Sequence, residues 1–142
     1  MSSNIAFCTA FKRALYNGLI HATTDTFKIA FYESVASLGA DTPAYTSVDE
    51  VNTGGGYTTG GYTLTGNTLW EDNGVIGLTF DDFVSSAGIT VTDIAAALIY
   101  DVTASNVAVC VFTFPTPYQF YNNTITIEFP TANAQTGMLA LY

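Results

Sequence analysis

Residues 94–101 read IAAALIYD, residues 102–106 read VTASN, and residues 107–114 read VAVCVFTF. The first run is apolar on both alternating faces, with Ile94, Ala96, Leu98 and Tyr100 on one and Ala95, Ala97 and Ile99 on the other. The second repeats this, setting Val107, Val109 and Val111 against Ala108, Cys110, Phe112 and Phe114. Each run is too short for a typical helix, and the second is β-branched and aromatic. This predicts a central β-hairpin buried on both faces, around which the rest of the chain packs.

The totals bound what can surround that hairpin. At 142 residues the chain makes one domain, 1–142. A chain of this length buries about 68–70% of its unfolded surface and needs neither metal nor disulfide to hold a core. It is 49% hydrophobic and 14% aromatic but only 11% charged, a balance that suits a fixed assembly at least as well as a free monomer. Twelve acids stand against Lys12, Arg13 and Lys28, for a net charge of −9. Three cations cannot form a phosphate footprint, so nucleic acid is excluded as a partner, and an anionic membrane is disfavoured for the same reason. Cys8 and Cys110 sit in apolar runs and read as buried free thiols. Lys12 and Arg13 interrupt what would be the apolar core of a signal peptide, and no run reaches the length of a membrane-spanning helix.

Outward from the hairpin, residues 4–20 predict an N-terminal helix. Phe7, Phe11, Ala14, Leu15 and Gly18 share one side, and Ser3 or Asn4 is placed to cap it. Residues 26–142 supply the strands. In 26–32, Phe27, Ile29 and Phe31 point inward, with Lys28 and Tyr32 outward. A long polar loop follows, then GGGYTTGGYTLTG at 54–66, where Tyr57 and Tyr62 pin two tight turns. Further strands are expected at Leu64–Trp70, 75–80, 84–91, 124–129 and 137–142. Pro115-Thr116-Pro117 is expected to end the hairpin's ladder and to leave Tyr118, Phe120 and Tyr121 in a loop. The pattern is mainly β, a two-sheet antiparallel sandwich of jelly-roll or immunoglobulin-like type with one short N-terminal helix.

Candidate chemistry is sparse. The glycine-rich stretch lacks the Lys and the following helix of a phosphate cradle, so no nucleotide or other cofactor is expected. His21 has Asp25 nearby but no nucleophile elbow, and no catalytic residue is assigned. The acid pairs Asp49-Glu50, Glu71-Asp72 and Asp81-Asp82 point to opposite faces wherever they lie on strands, unlike a glycosidase dyad. Asp72, Asn73, Asp81 and Asp82 gather hard oxygen ligands without the spacing of a calcium loop, so no metal is expected.

Several segments resemble a family of small tailed-phage virion-associated proteins. The matching motifs are a D-T-F-K-[IV]-A-[LF] strand (Asp25 to Phe31), Glu50-Val51 before a G-Y-T-x-G-G-x-x-L loop (Gly56 to Leu64), and an A-x-I-Y-[DN] strand (Ala97 to Asp101). With the helix before them, they span roughly residues 5–140 in a fixed order. The resemblance implies a structural component of the virion with no catalytic residues to carry over. On that basis the expected function is capsid decoration, bridging major capsid subunits, with a homo-oligomer and other virion proteins as further partners. A tail, neck or fibre component is the structural alternative, and a glycan-active virion enzyme the alternative from another class. Tyr118, Phe120, Tyr121, Tyr57 and Tyr62 are the candidate partner contacts, because aromatics outside the core supply contact area at low rotamer cost.

Overall fold

The computed structural model describes residues 4–130 and 140–141. In chain order the elements are β1 (Asn4–Phe7), α1 (Thr9–Tyr16), β2 (Phe27–Tyr32), β3 (Tyr62–Thr63), β4 (Thr68–Asp72) and β5 (Val75–Thr79). They continue with β6 (Phe83–Val84), β7 (Ile89–Asp101), β8 (Val107–Asn123), β9 (Thr126–Ile127) and β10 (Ala140–Leu141). The described strands form a five-stranded sheet, β1-β8-β7-β2-β3, with smaller sheets β10-β5-β4 and β6-β9. All pairings are antiparallel. The fold is mainly β with one short helix, consistent with a β-sandwich.

The expected hairpin is the centre of the large sheet. Leu98 and Ile99 on β7 and Ala108, Val109 and Cys110 on β8 are fully buried. Ile99 pairs with Cys110 and Asp101 with Val107, and the connecting turn places Ser105 and Asn106 at positive φ. β2 flanks β7 over six residue pairs, from Phe27↔Asp101 to Tyr32↔Ala96. Phe27 meets Phe80 edge-on with centroids 5.4 Å apart, which ties the large sheet to the segment after β5. In the β4–β5 hairpin Trp70 lies opposite Gly77. A Cβ at Gly77 would sit 2.4 Å from the indole, so only glycine lets the ring cover that strand.

Four expectations are corrected. The N-terminal helix does not begin at Asn4. Residues 4–7 form an edge strand on β8, with Ile5 paired to Phe112 and Phe7 to Cys110. The helix occupies only Thr9–Tyr16. A short apolar run such as NIAF suits either conformation, and pairing with the free edge of β8 satisfies backbone groups that an isolated helical turn leaves open. The helix start has no side-chain cap; Thr9 N–H donates to Ala40 O at 2.9 Å instead. Its end is a Schellman motif, with Gly18 N–H donating to Leu15 O and Leu19 N–H to Ala14 O.

Tyr32, expected outward, is fully buried; its hydroxyl donates to Thr46 O at 2.6 Å. The loop after β2 folds back over this strand, so both faces are covered. The strand expected at 84–91 is two pieces, β6 and the start of β7, separated by residues 85–88. Pro115-Thr116-Pro117 does not end β8. Between the pairs Ala96↔Thr113 and Ile94↔Tyr118, β8 spends five residues where β7 spends two. The prolines occupy that bulge, where no ladder donor is required, and the strand resumes beyond it. Of the strand expected at 137–142, Ala140–Leu141 pairs with Gly77 and Ile76. Its remaining residues lie outside those described.

Candidate functional site

The glycine-rich loop and the Glu50-Val51 pair converge on one carboxylate. Glu50 bridges to Tyr32 at the edge of β2 and is 6% exposed. Its Oε2 accepts from the Tyr45 hydroxyl at 2.6 Å, and its Oε1 accepts from the Tyr57 hydroxyl and from Gly60 N–H, each at 2.7 Å. The Tyr57 hydroxyl also accepts from Phe31 N–H at 3.0 Å. The Tyr100 hydroxyl donates to Gly60 O at 2.7 Å, and its ring stacks on Tyr45 with centroids 4.6 Å apart. Gly61 is required beside them: its φ is +77°, and a Cβ there would lie 1.9 Å from Ile29 O.

Chemically this is a closed arrangement. Three donors saturate a buried carboxylate, and burial, with Glu50 adding to it, raises the Tyr57 and Tyr45 hydroxyls above their ordinary range. They remain protonated donors at neutral pH rather than nucleophiles. The motif therefore ties the loop to the edge of the large sheet. Tyr57, expected at a partner surface, is in the core at 2% exposed. It is placed there by its bond to Glu50 and by packing on Phe31 at 6.0 Å. Tyr62 is half-buried on β3 against Phe31, Tyr57 and Phe83.

The remaining candidates fall on β8 after the bulge. Tyr118 and Phe120 are half-buried and point to one face, whereas Gln119 and Tyr121 are exposed on the other. They belong to a strand, not to the loop the prolines suggested. Tyr118 packs edge-on against Phe114 at 5.1 Å. With Phe112, Phe114, Ile127 and Phe129, Tyr118 and Phe120 line an apolar groove of about 370 Å³. Ile5, 49% exposed on the edge strand β1, lies along it. Sequence reasoning missed Ile5, Phe112 and Phe114, because Ile5 was read as helical and the other two as fully buried hairpin residues.

A second polar cluster sits where β2 and β7 meet. Asp101 is fully buried and Asp25 is 6% exposed. Asp101 Oδ1 accepts from Ala104 N–H at 3.0 Å, while its Oδ2 has no hydrogen-bond partner among the described residues. Burial, and then the neighbouring Asp25 carboxyl, pushes the Asp101 carboxyl up to about 7. A carboxyl raised this far keeps its proton into the neutral range, which spares the buried pair a second negative charge. Asp25 in turn accepts from His21 N–H at 2.8 Å, with the exposed His21 ring 3.7 Å away.

The other residues weighed for chemistry stand apart. Asp82 accepts from Phe129 N–H at 2.9 Å, and Asn73 donates to Asp72 at 2.9 Å. Among the described residues no group of three or more His, Cys, Asp or Glu is arranged to hold a metal ion, and no helix is long and apolar enough to cross a membrane. Cys8 and Cys110 are free and buried. Burial pushes the Cys8 thiol up to about 11 and raises that of Cys110, which disfavours the reactive thiolate in both. No protein-family model, curated protein or solved structure matches the chain.

Proposed function

We propose that this chain is a structural protein of a tailed-phage virion, a capsid decoration protein that bridges neighbouring major capsid subunits as one of many copies. The observation that carries the reading is the apolar groove flanked by Tyr118 and Phe120 on an exposed stretch of β8. Large aromatics beside an open apolar groove are the side chains that anchor protein interfaces. The sequence motifs that resemble those of small virion-associated proteins lie in the scaffold: the D-T-F-K-I-A-F segment runs into β2, A-L-I-Y-D closes β7, and G-Y-T-T-G-G is tied to Glu50. Binding works by burying apolar surface at each contact, and repetition over a shell turns modest single contacts into firm attachment.

No catalytic role is assigned under this reading. Its test is quantitative mass spectrometry of purified particles. A copy number on the order of hundreds fits a shell protein, whereas about a dozen fits a tail or neck ring set by closed cyclic symmetry. Absence from the particle overturns the proposal. Release of reducing sugars from host surface glycan by the purified chain would favour the enzyme reading instead.

A further inference from the structure

The charges of this chain are distributed unevenly. Residues 1–24 hold Lys12 and Arg13 and no acid, whereas residues 25–142 hold all 12 acids against Lys28. The first segment is +2 and the rest −11, which together make the net −9. The fold places two of the three cations, Lys12 and Arg13, on one face. On α1, Phe11 and Ala14 turn to the core, and Lys12, Arg13 and Tyr16 turn to solvent. Tyr16 is 95% exposed, and Leu19, just past the Schellman end, is 58% exposed. Among the described residues neither Lys12 nor Arg13 has an ion-pair partner.

The β4–β5 hairpin presents the complement. Leu69 and Glu71 alternate outward from the buried Trp70, and Glu71 lies directly across from Ile76. Leu69 and Ile76 are 45% and 38% exposed. The α1 face therefore carries two cations beside an exposed aromatic and aliphatic pair, and the β4–β5 face carries the Glu71 carboxylate beside an exposed aliphatic pair. Each copy carries one of each.

We propose that copies of this chain associate head to tail, the α1 face of one docking on the β4–β5 outer face of the next. Lys12 and Arg13 meet Glu71, and Tyr16 and Leu19 cover Leu69 and Ile76. A second copy is the occupant that the charges favour. Two cations are too few for nucleic acid, and an anionic membrane offers the net −9 chain neither a carboxylate matched in position to Lys12 and Arg13 nor an apolar pair to cover. Between copies the net charge opposes approach, and the local match of Lys12 and Arg13 to Glu71 together with the apolar cover holds the contact. The contact joins two different patches, so it closes into a ring or runs on as a chain rather than stopping at a two-fold dimer. This goes beyond the proposed function, and its test uses the purified chain alone, so its failure leaves particle binding open to separate measurement.

The test is sedimentation equilibrium of the full chain and of two charge-reversed variants, K12E/R13E and E71K. Wild type is expected to self-associate at about 0.15 M salt, where the net −9 of each copy is screened beyond a Debye length while charge pairs in direct contact are screened less. Each variant alone is expected to be monomeric, with an unchanged melting temperature because the altered residues are exposed. An equimolar mixture is expected to recover association, because the acidic α1 face of one variant then matches the basic hairpin of the other. Tyr16→Ser, which leaves all charges in place, is expected to weaken assembly as well. A monomeric wild type, variants that assemble like wild type, or a mixture that stays monomeric each overturns the proposal.

Discussion

The Tyr57 hydroxyl donates to Glu50 Oε1 at 2.7 Å and accepts from Phe31 N–H at 3.0 Å, so one phenol joins the glycine-rich loop, the segment before it and the edge of β2. Removing that oxygen leaves a buried amide and a buried carboxylate each one partner short. Tyr57→Phe is expected to destabilise the fold by about 1–3 kcal/mol, the cost of unsatisfied buried groups. Urea unfolding checks this. A midpoint equal to wild type would mean that water or a neighbouring donor takes over both bonds.

The Asp25–Asp101 pair makes stability depend on pH. The folded Asp101 carboxyl, raised to about 7, holds a proton that the unfolded chain, with a pKa of ~3.9, has already released. The native state therefore binds more protons between those values, and stability from this group falls as pH rises. It is complete below the unfolded pKa and lost on passing through the folded one. Asp25 faces Asp101, and His21 faces Asp25. Between pH 5 and 8 wild type is expected to lose urea resistance. Asp101→Asn, neutral throughout and able to donate to Asp25, should flatten that decline, while His21→Ala should retain it. An unchanged slope in Asp101→Asn would mean the titration belongs elsewhere.

Two left-handed glycines separate conformational strain from steric clash. Gly18 at φ +69° has open space where a Cβ would sit, while Gly61 at φ +77° has Ile29 O at 1.9 Å. Gly18→Ala is expected to cost about 1–2 kcal/mol, the ordinary left-handed penalty. Gly61→Ala should cost clearly more, since β3 must leave the edge of β2. Equal melting temperatures for the two variants would contradict the contact.

Tyr118 and Tyr121 are three residues apart on β8, point to opposite faces and should behave differently. Tyr121 is 60% exposed, and Tyr121→Ser is expected to change stability by no more than about 0.5 kcal/mol. Tyr118 packs on Phe114, and Tyr118→Ser should cost about 1–3 kcal/mol as a partly buried ring is lost. Thermal melts of the two single variants decide this, and particle-binding assays on Tyr121→Ser then report on the face of β8 opposite the groove without a folding defect.

How much of this was legible in the residues follows a physical line. Patterns that depend on side-chain period alone were readable: the doubly apolar runs of the β7–β8 hairpin and the inward set Phe27, Ile29 and Phe31. Strand period is local, and burial on both faces leaves no polar positions in the run. The loop's glycines also marked tight turns, because left-handed backbone restricts residue type.

What only the tertiary structure decided involves groups brought together from distant segments. Nothing local distinguishes Glu50 from the adjacent Asp49; Tyr45, Tyr57 and Gly60 make it a buried acceptor only once the loop closes over β2. Asp101 and Asp25 are 76 residues apart in sequence, yet β2 and β7 lie side by side and bury both carboxyls together. Residues 4–7 become a strand because β8 offers an unpaired edge, and Tyr118 rejoins that strand because the bulge carries the prolines out of the ladder. Residue types and spacing set which faces must be buried. Which partner buries them depends on hydrogen-bonding groups and surfaces that exist only when the sheets are assembled.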